Sequence, residues 1–218
     1  MMPTKSRSLR LSMLVGCALL VMSASLSAQI PLQKSARSAF TLGAAGSFTD
    51  RTSLGSGFIG GSVKDRFEFA GGAGYLSAGS TSSGLVGALS ASVYPVTGSM
   101  TRQSIYISLD AGGTFVGSTS SGGSRSGVST MNLGATFHNR LFTGKICGGV
   151  LSVGMGKIYP LTGGYPTEAY GMCGLAIGLY SGDNFLSLIP SAAVSSESTT
   201  LGLQISCTFV QRVKETNF

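Results

Sequence analysis

Residues 104–115 read S-I-Y-I-S-L-D-A-G-G-T-F. The odd positions Ile105, Ile107, Leu109, Ala111, Gly113 and Phe115 form one apolar row. The even positions Tyr106, Ser108, Asp110, Gly112 and Thr114 form a smaller, more polar one. Alternation with period two builds a strand with two chemically distinct faces. A helix would scatter the same residues around its circumference and would carry two adjacent glycines inside it. What the greasy face touches, a protein interior or lipid, then decides the fold.

The alternation recurs along the chain. Phe40, Leu42, Ala44, Gly46 and Phe48 make a first apolar row. Ile59, Gly61 and Val63 share a face of a second and less regular one. Phe67, Phe69, Gly71, Ala73 and Tyr75 make the third, with Glu68 on the opposite face. Leu85, Gly87, Leu89, Ala91 and Val93 make the fourth, and residues 104–115 the fifth. The sixth carries Met131, Leu133, Ala135 and Phe137 against Asn132, and the seventh runs from Cys147 to Met155. The eighth runs from Ala169 to Leu179 and the ninth through residues 185–194. The tenth has Leu201, Leu203, Ile205, Cys207 and Phe209 against Gln204. Pro190 in the ninth cannot donate to a ladder and predicts a bulge or a weak spot. The count is about ten strands, with eight or twelve as neighbouring solutions, most near the roughly 9–11 residues that a tilted strand needs to cross a bilayer.

Composition argues for lipid. Only 11% of the 218 residues are charged, 33 are glycine and none is tryptophan; soluble domains average about 25% charged residues. Lys and Arg beyond the N-terminal segment fall in predicted connections, strand ends or tails, outside the greasy rows. A basic side chain at the lipid midplane costs about 2–4 kcal/mol, so a membrane face excludes it. A soluble sandwich would place charges on its second face; here that face is Gly, Ala, Ser and Thr. The expected fold is all-β, an up-and-down antiparallel transmembrane barrel with lipid outside and a narrow, mildly polar lumen. A secreted soluble β-protein is the architectural competitor.

At the N-terminus Lys5, Arg7 and Arg10 precede an apolar run at 11–22 and a small-residue tract at 23–28. That is the order of a secretory signal peptide, with cleavage expected after Ala28. The run L-V-G-C ending at Cys17 also reads as a lipobox, a second processing route. Removing the three bases takes the formal charge from +7 to about +4. The expected organisation is a signal peptide at 1–28, a polar lead at 29–38, a barrel at 39–210 and a tail at 211–218. With the first strand leaving the periplasm, outer loops are expected near 49–57, 76–84, 116–127, 157–168 and 195–199. Inner turns are expected near 64–66, 95–103, 139–144 and 181–184.

In pattern, residues 38–210 resemble the small bacterial outer-membrane β-barrels, in the style of the OmpA transmembrane domain and OmpX-like proteins. The resemblance implies a place in the bacterial outer membrane, with its lipid and the barrel-insertion machinery as partners. Such barrels commonly end in a strand with a terminal aromatic residue. Here Phe209 closes the tenth row, and Phe218 ends the chain with no alternating row before it.

Few residues suggest chemistry. Cys147, Cys173 and Cys207 lie on greasy rows at unmatched depths, which argues against disulfides. With His138 as the single histidine, no zinc site of ordinary spacing is expected. No cofactor motif and no basic patch interleaved with aromatics is present, so neither a cofactor nor nucleic acid is expected. The lumen candidates are Asp110, Asn132, Glu68, Gln204 and Tyr106. If the loop after the fifth strand closes symmetrically, Asp110 lies beside Asn132 and without a cation at its depth, which favours water around it. The tyrosines, gathered near strand ends, suit interfacial girdles. Tyr159 and Tyr165, in the expected outer loop at 157–168, are the candidates for contact with an extracellular ligand. The expected function is a non-catalytic structural or surface-interaction barrel; the alternative is a narrow pore past Asp110.

Overall fold

The computed structural model describes residues 29–34, 37–49, 52–64, 66–78, 82–95, 104–120, 125–162, 166–196 and 198–211. The expected signal segment with Cys17, most of the C-terminal tail and Tyr165 lie outside them. A single helical turn, α1 (Gln29–Leu32), precedes ten strands: β1 (Ala39–Phe48), β2 (Ser53–Val63), β3 (Phe67–Ala78), β4 (Ser82–Val93), β5 (Ile105–Ser120), β6 (Arg125–Thr143), β7 (Cys147–Pro160), β8 (Glu168–Ser181), β9 (Asn184–Ser195) and β10 (Thr199–Val210). Each strand pairs antiparallel with its sequence neighbours, and β1 pairs β10, so the sheet closes into a barrel with no free edge. An even strand number brings Ala39 and Val210 to the same end, called the inner end below.

The apolar rows face outward. Ile59, Leu85, Leu89 and Met155 are 62%, 72%, 70% and 73% exposed, and Phe40, Phe69, Phe115 and Phe209 are also exposed. A continuous apolar belt of this extent is a lipid-facing surface, far beyond the few hundred Å2 that water-exposed patches reach. Cys173 is exposed on this belt, and Cys147, Cys173 and Cys207 are free thiols.

Several details differ from the sequence reading. The outer ends of the strands continue through much of what read as loops: β5 and β6 are 16 and 19 residues long. At about 3.3 Å per residue such strands outreach the apolar band. Beyond Phe115 and Met131 the outward positions become Gly117, Ser129 and Gly127, so these strands project past the lipid. Lys157, read as a loop residue, lies inside β7 on the outward face, just beyond Met155. There its long apolar stem lets the ammonium reach the headgroup level. Tyr159 is likewise in β7, paired with Met131, and not in a loop. Pro190 makes the weak spot of the two expected outcomes and no bulge: β8 and β9 keep one register on both sides of it, and only the pairs opposite Ile189 and Pro190 are missing from that ladder. The bulge sits instead between Arg140 and Phe142, where β6 shifts against β7. The extra residue leaves Leu141 and Phe142 exposed together, while Arg140, just before it, keeps the inward phase of His138.

Candidate functional site

The inward face is layered. Toward the outer end it carries an aliphatic and aromatic filling of Ala45, Leu54, Phe58, Ala70, Leu76, Val86 and Val116, with Val128 and Ile158 packed separately across from them. This departs from the expectation of a mildly polar lumen lined mainly by Gly, Ala, Ser and Thr. Below this filling the wall turns polar. Thr41 and Thr208 hydroxyls meet at 3.0 Å across β1 and β10, and Ser187 and Ser206 at 2.6 Å across β9 and β10. Gln204 is buried in this wall opposite Ala45 and Ile189.

Glycines let this wall take bulky inward groups. The Tyr170 ring lies over Gly156, where a Cβ would stand 2.7 Å from its hydroxyl. Asn132 lies over Gly112 in the same way, so neither glycine leaves room for a side chain.

The candidate site is the polar cluster at the inner end. Asp110 does not lie beside Asn132: its partner on β6 is Gly134, and Asn132 pairs Gly112. The β5–β6 connection closes two residues off the symmetric register. Nor is Asp110 without partners. It accepts hydrogen bonds from Ser108 Oγ at 2.9 Å and Thr136 Oγ1 at 2.6 Å. Ser108 Oγ also meets His138 Nε2 at 3.1 Å, and His138 Nδ1 meets Ser152 Oγ at 2.8 Å. With Ser108 donating to Asp110, one assignment serves every bond: His138 Nε2–H donates to Ser108, and the Ser152 hydroxyl donates to Nδ1. Glu68, 1% exposed, accepts from the Tyr94 hydroxyl at 3.1 Å and from the Ile30 amide. The Tyr94 ring lies 5.9 Å from that of His138, which joins the two halves of the cluster.

The sequence pointed to Asp110, Glu68, Tyr106, Asn132 and Gln204 as inward residues, and all five are buried in the barrel. The structure gathers Asp110, Glu68 and Tyr106 near the inner mouth; Asn132 and Gln204 sit in other parts of the wall. Ser108, Ser152, Thr136, Tyr94 and Arg140 were missed. Spacing along the chain could have flagged Ser108 and Thr136, each two residues from a polar inward neighbour. Nothing in the sequence placed Ser152. Four tyrosines depart from the girdle expectation: Tyr94 and Tyr106 are buried inside, and Tyr170 and Tyr180 pack against interior clusters. Tyr75, exposed on the belt, fits it.

The largest departure is the stretch expected as a polar lead. Residues 29–34 lie across the inner mouth. Ile30 packs with Tyr94 and Tyr106 on one side; Leu32 packs with Val150, Ala176, Phe185 and Ile189 on the other. Both are almost fully buried, at 2% and 1% exposed. Polar contacts hold the segment from Ile30 to Lys34. Arg140 donates to the Pro31 and Gln33 carbonyls at 2.8 and 3.3 Å, and its guanidinium lies 5.1 Å from the Tyr106 ring. The Tyr180 hydroxyl donates to the Leu32 carbonyl at 2.7 Å, and Gln33 Nε2 to Ser62 Oγ at 2.7 Å. At the rim Lys34 Nζ donates to the Lys145 carbonyl and stands over the Tyr180 ring. Just beyond, Arg37 pairs with Asp183 at 3.4 Å.

The carboxylate of Asp110 reaches His138 only through Ser108, whereas nucleophilic triads orient the imidazole directly. Ser108 and His138 have no exposed surface.

The closed antiparallel sheet, the lipid-facing belt and the filled interior define a transmembrane β-barrel. In architecture the chain is similar to the translocator domain of autotransporter NalP from Neisseria meningitidis, at 10% identity, covering 95% of this chain and 98% of that one, with a TM-score of 0.54. At that identity the likeness is one of fold alone. Looser likenesses, which carry no argument, extend to the β domain of the Bordetella autotransporter Brka (10% identity, 80% of this chain and 98% of that one, TM-score 0.41) and to the KdgM porin (12%, 79% and 99%, TM-score 0.35). These neighbours are bacterial outer-membrane barrels. No protein-family model matches the chain, and no curated protein matches its sequence.

Proposed function

We propose that the protein is a non-catalytic barrel of the bacterial outer membrane, exported by a cleaved signal peptide, whose interior is closed and whose role is structural or surface-interacting. One observation carries this reading: the inner mouth is occupied by residues 29–34 while aliphatic side chains fill the outer half. A barrel filled at both levels has no continuous water column for a solute. Interaction then falls to the outer rim, where strands project beyond the apolar belt. The start of the β7–β8 connection supports such a surface: the Leu161 amide donates to the Ser129 carbonyl and the Ser129 amide to the Thr162 hydroxyl, which pins it onto β6. Tyr159, beside that connection, remains the candidate contact for an extracellular ligand.

The alternative is a narrow pore past Asp110, whose carboxylate has two hydroxyl donors. Planar-bilayer recording of the purified protein separates the readings. The closed barrel gives no steady conductance in the wild type, and a stable open level would overturn it in favour of the pore. Membrane fractionation with a gel shift on boiling tests the location. A soluble periplasmic protein without that shift would overturn it.

A further inference from the structure

Glu68 is buried, yet both its hydrogen-bond partners are neutral: the Tyr94 hydroxyl and the Ile30 amide. Asp110 shares its level of the sheet, since Glu68 pairs Ser92 and Ser92 in turn pairs Asp110. Among the described residues, Arg140 donates to the other part of the segment, to the Pro31 and Gln33 carbonyls. The acidic side of the mouth therefore faces the amino end of residues 29–34, and a buried carboxylate calls for a charged partner. The residue before Ile30 is Gln29, the expected first residue after cleavage at Ala28. Its Cα lies about 3.8 Å from that of Ile30, whose amide already touches Glu68.

We propose that export processing creates a cation beside Glu68. Hydrolysis of the Ala28–Gln29 peptide bond, with water as co-reactant, leaves a carboxylate on Ala28 and an amine on Gln29. That amine is protonated at neutral pH, and in the folded barrel it pairs with Glu68 and faces Asp110. The mature N-terminus is thereby part of the closure: Arg140 and Tyr180 hold the middle of the segment, Lys34 its rim end, and the new α-ammonium its amino end. An uncleaved chain has a neutral amide at this point and lacks that bond. The inference rests on the export reading and adds to it a cleavage site and a binding role for the terminus.

The experiment uses the barrel extracted from membranes. The mass of the N-terminal peptide identifies the first residue. Acetylation with a water-soluble N-hydroxysuccinimide ester at about pH 7, where an accessible α-amine is reactive, is then compared in folded and boiled protein. The expected result is a chain that starts at Gln29 with an unmodified amine, protected when folded and acetylated after boiling. Glu68→Gln should raise labelling of the folded form by about tenfold or more, as loss of a charge-assisted bond implies. Tyr94→Phe, which keeps the carboxylate, should leave the amine protected. A different first residue, a pyroglutamate, equal labelling before and after boiling, or protection unchanged in Glu68→Gln would each overturn the inference. If Glu68→Gln does not assemble, the wild-type comparison alone decides. A membrane-bound, heat-modifiable protein that fails these arms sinks the terminus and spares the barrel, whereas a soluble, unshifted protein sinks both.

Discussion

At the outer end of the lumen, Leu54, Phe58, Leu76, Val86 and Val116 project from four successive strands, β2 to β5, and meet one another. At the inner end, Ile30 and Leu32 come from outside the sheet and are held by Glu68, Arg140 and Tyr180. The first filling is inseparable from the barrel, because its side chains belong to the strands that close it. The second is a separate piece of chain, joined by hydrogen bonds and two apolar anchors. Local opening draws on regions with few such ties. The inner closure is therefore the part of the molecule able to move while the sheet stays whole.

The largest expected effect tests the integral half. Phe58→Ala removes a ring from the outer filling and should cost about 3–5 kcal/mol, read by urea unfolding of the protein in lipid vesicles. Leu32→Ala should cost about 2–5 kcal/mol of contacts, expressed first as release of the segment. Trypsin should then cut after Lys34 about tenfold faster or more, while the heat-modifiable band persists. If Leu32→Ala instead lowers global unfolding as far as Phe58→Ala, the two ends form one cooperative unit and the contrast fails.

Smaller effects sharpen the polar layer between them. Asp110→Ala leaves the Ser108 and Thr136 hydroxyls without their acceptor and should cost about 1–3 kcal/mol. It should add no bilayer conductance; a new open level would return the lumen to the pore reading. Smallest is the Thr41–Thr208 pair, in contact at 3.0 Å. Thr41→Val and Thr208→Val should each cost about 1 kcal/mol, and the double variant should cost less than their sum, since the shared bond is lost only once. A double-mutant cycle in urea measures the difference.

The outward half of this molecule was legible from its residues. Lipid tolerates neither charge nor unpaired backbone, so every crossing strand repeats the same apolar period, and ten rows appear as ten strands. The inward half was not. Leu54, Leu76, Val116 and Ile158 stand in stretches that read as outer loops, where Gly and Ser dominate and the alternation fades. Only pairing with neighbouring strands extends the sheet through them and turns these four side chains inward. Asp110 was recognised as inward, but its partners depended on a register set by how the β5–β6 connection closes, and that register is two residues from the symmetric one.

The sequence by itself determined a barrel wall: period two, an apolar belt, basic residues kept to its margins, and termini at one end. Those properties are local, each strand meeting the same solvent on the same face. What only the tertiary structure decided is what fills the barrel. Residues 29–34 carry no periodic signal, and their burial depends on Glu68, Arg140, Val150 and Tyr180, which lie 38 or more positions away in the chain from their partners in the segment. Contacts of that range exist only once the sheet has closed, because closure is what brings those side chains around a single mouth.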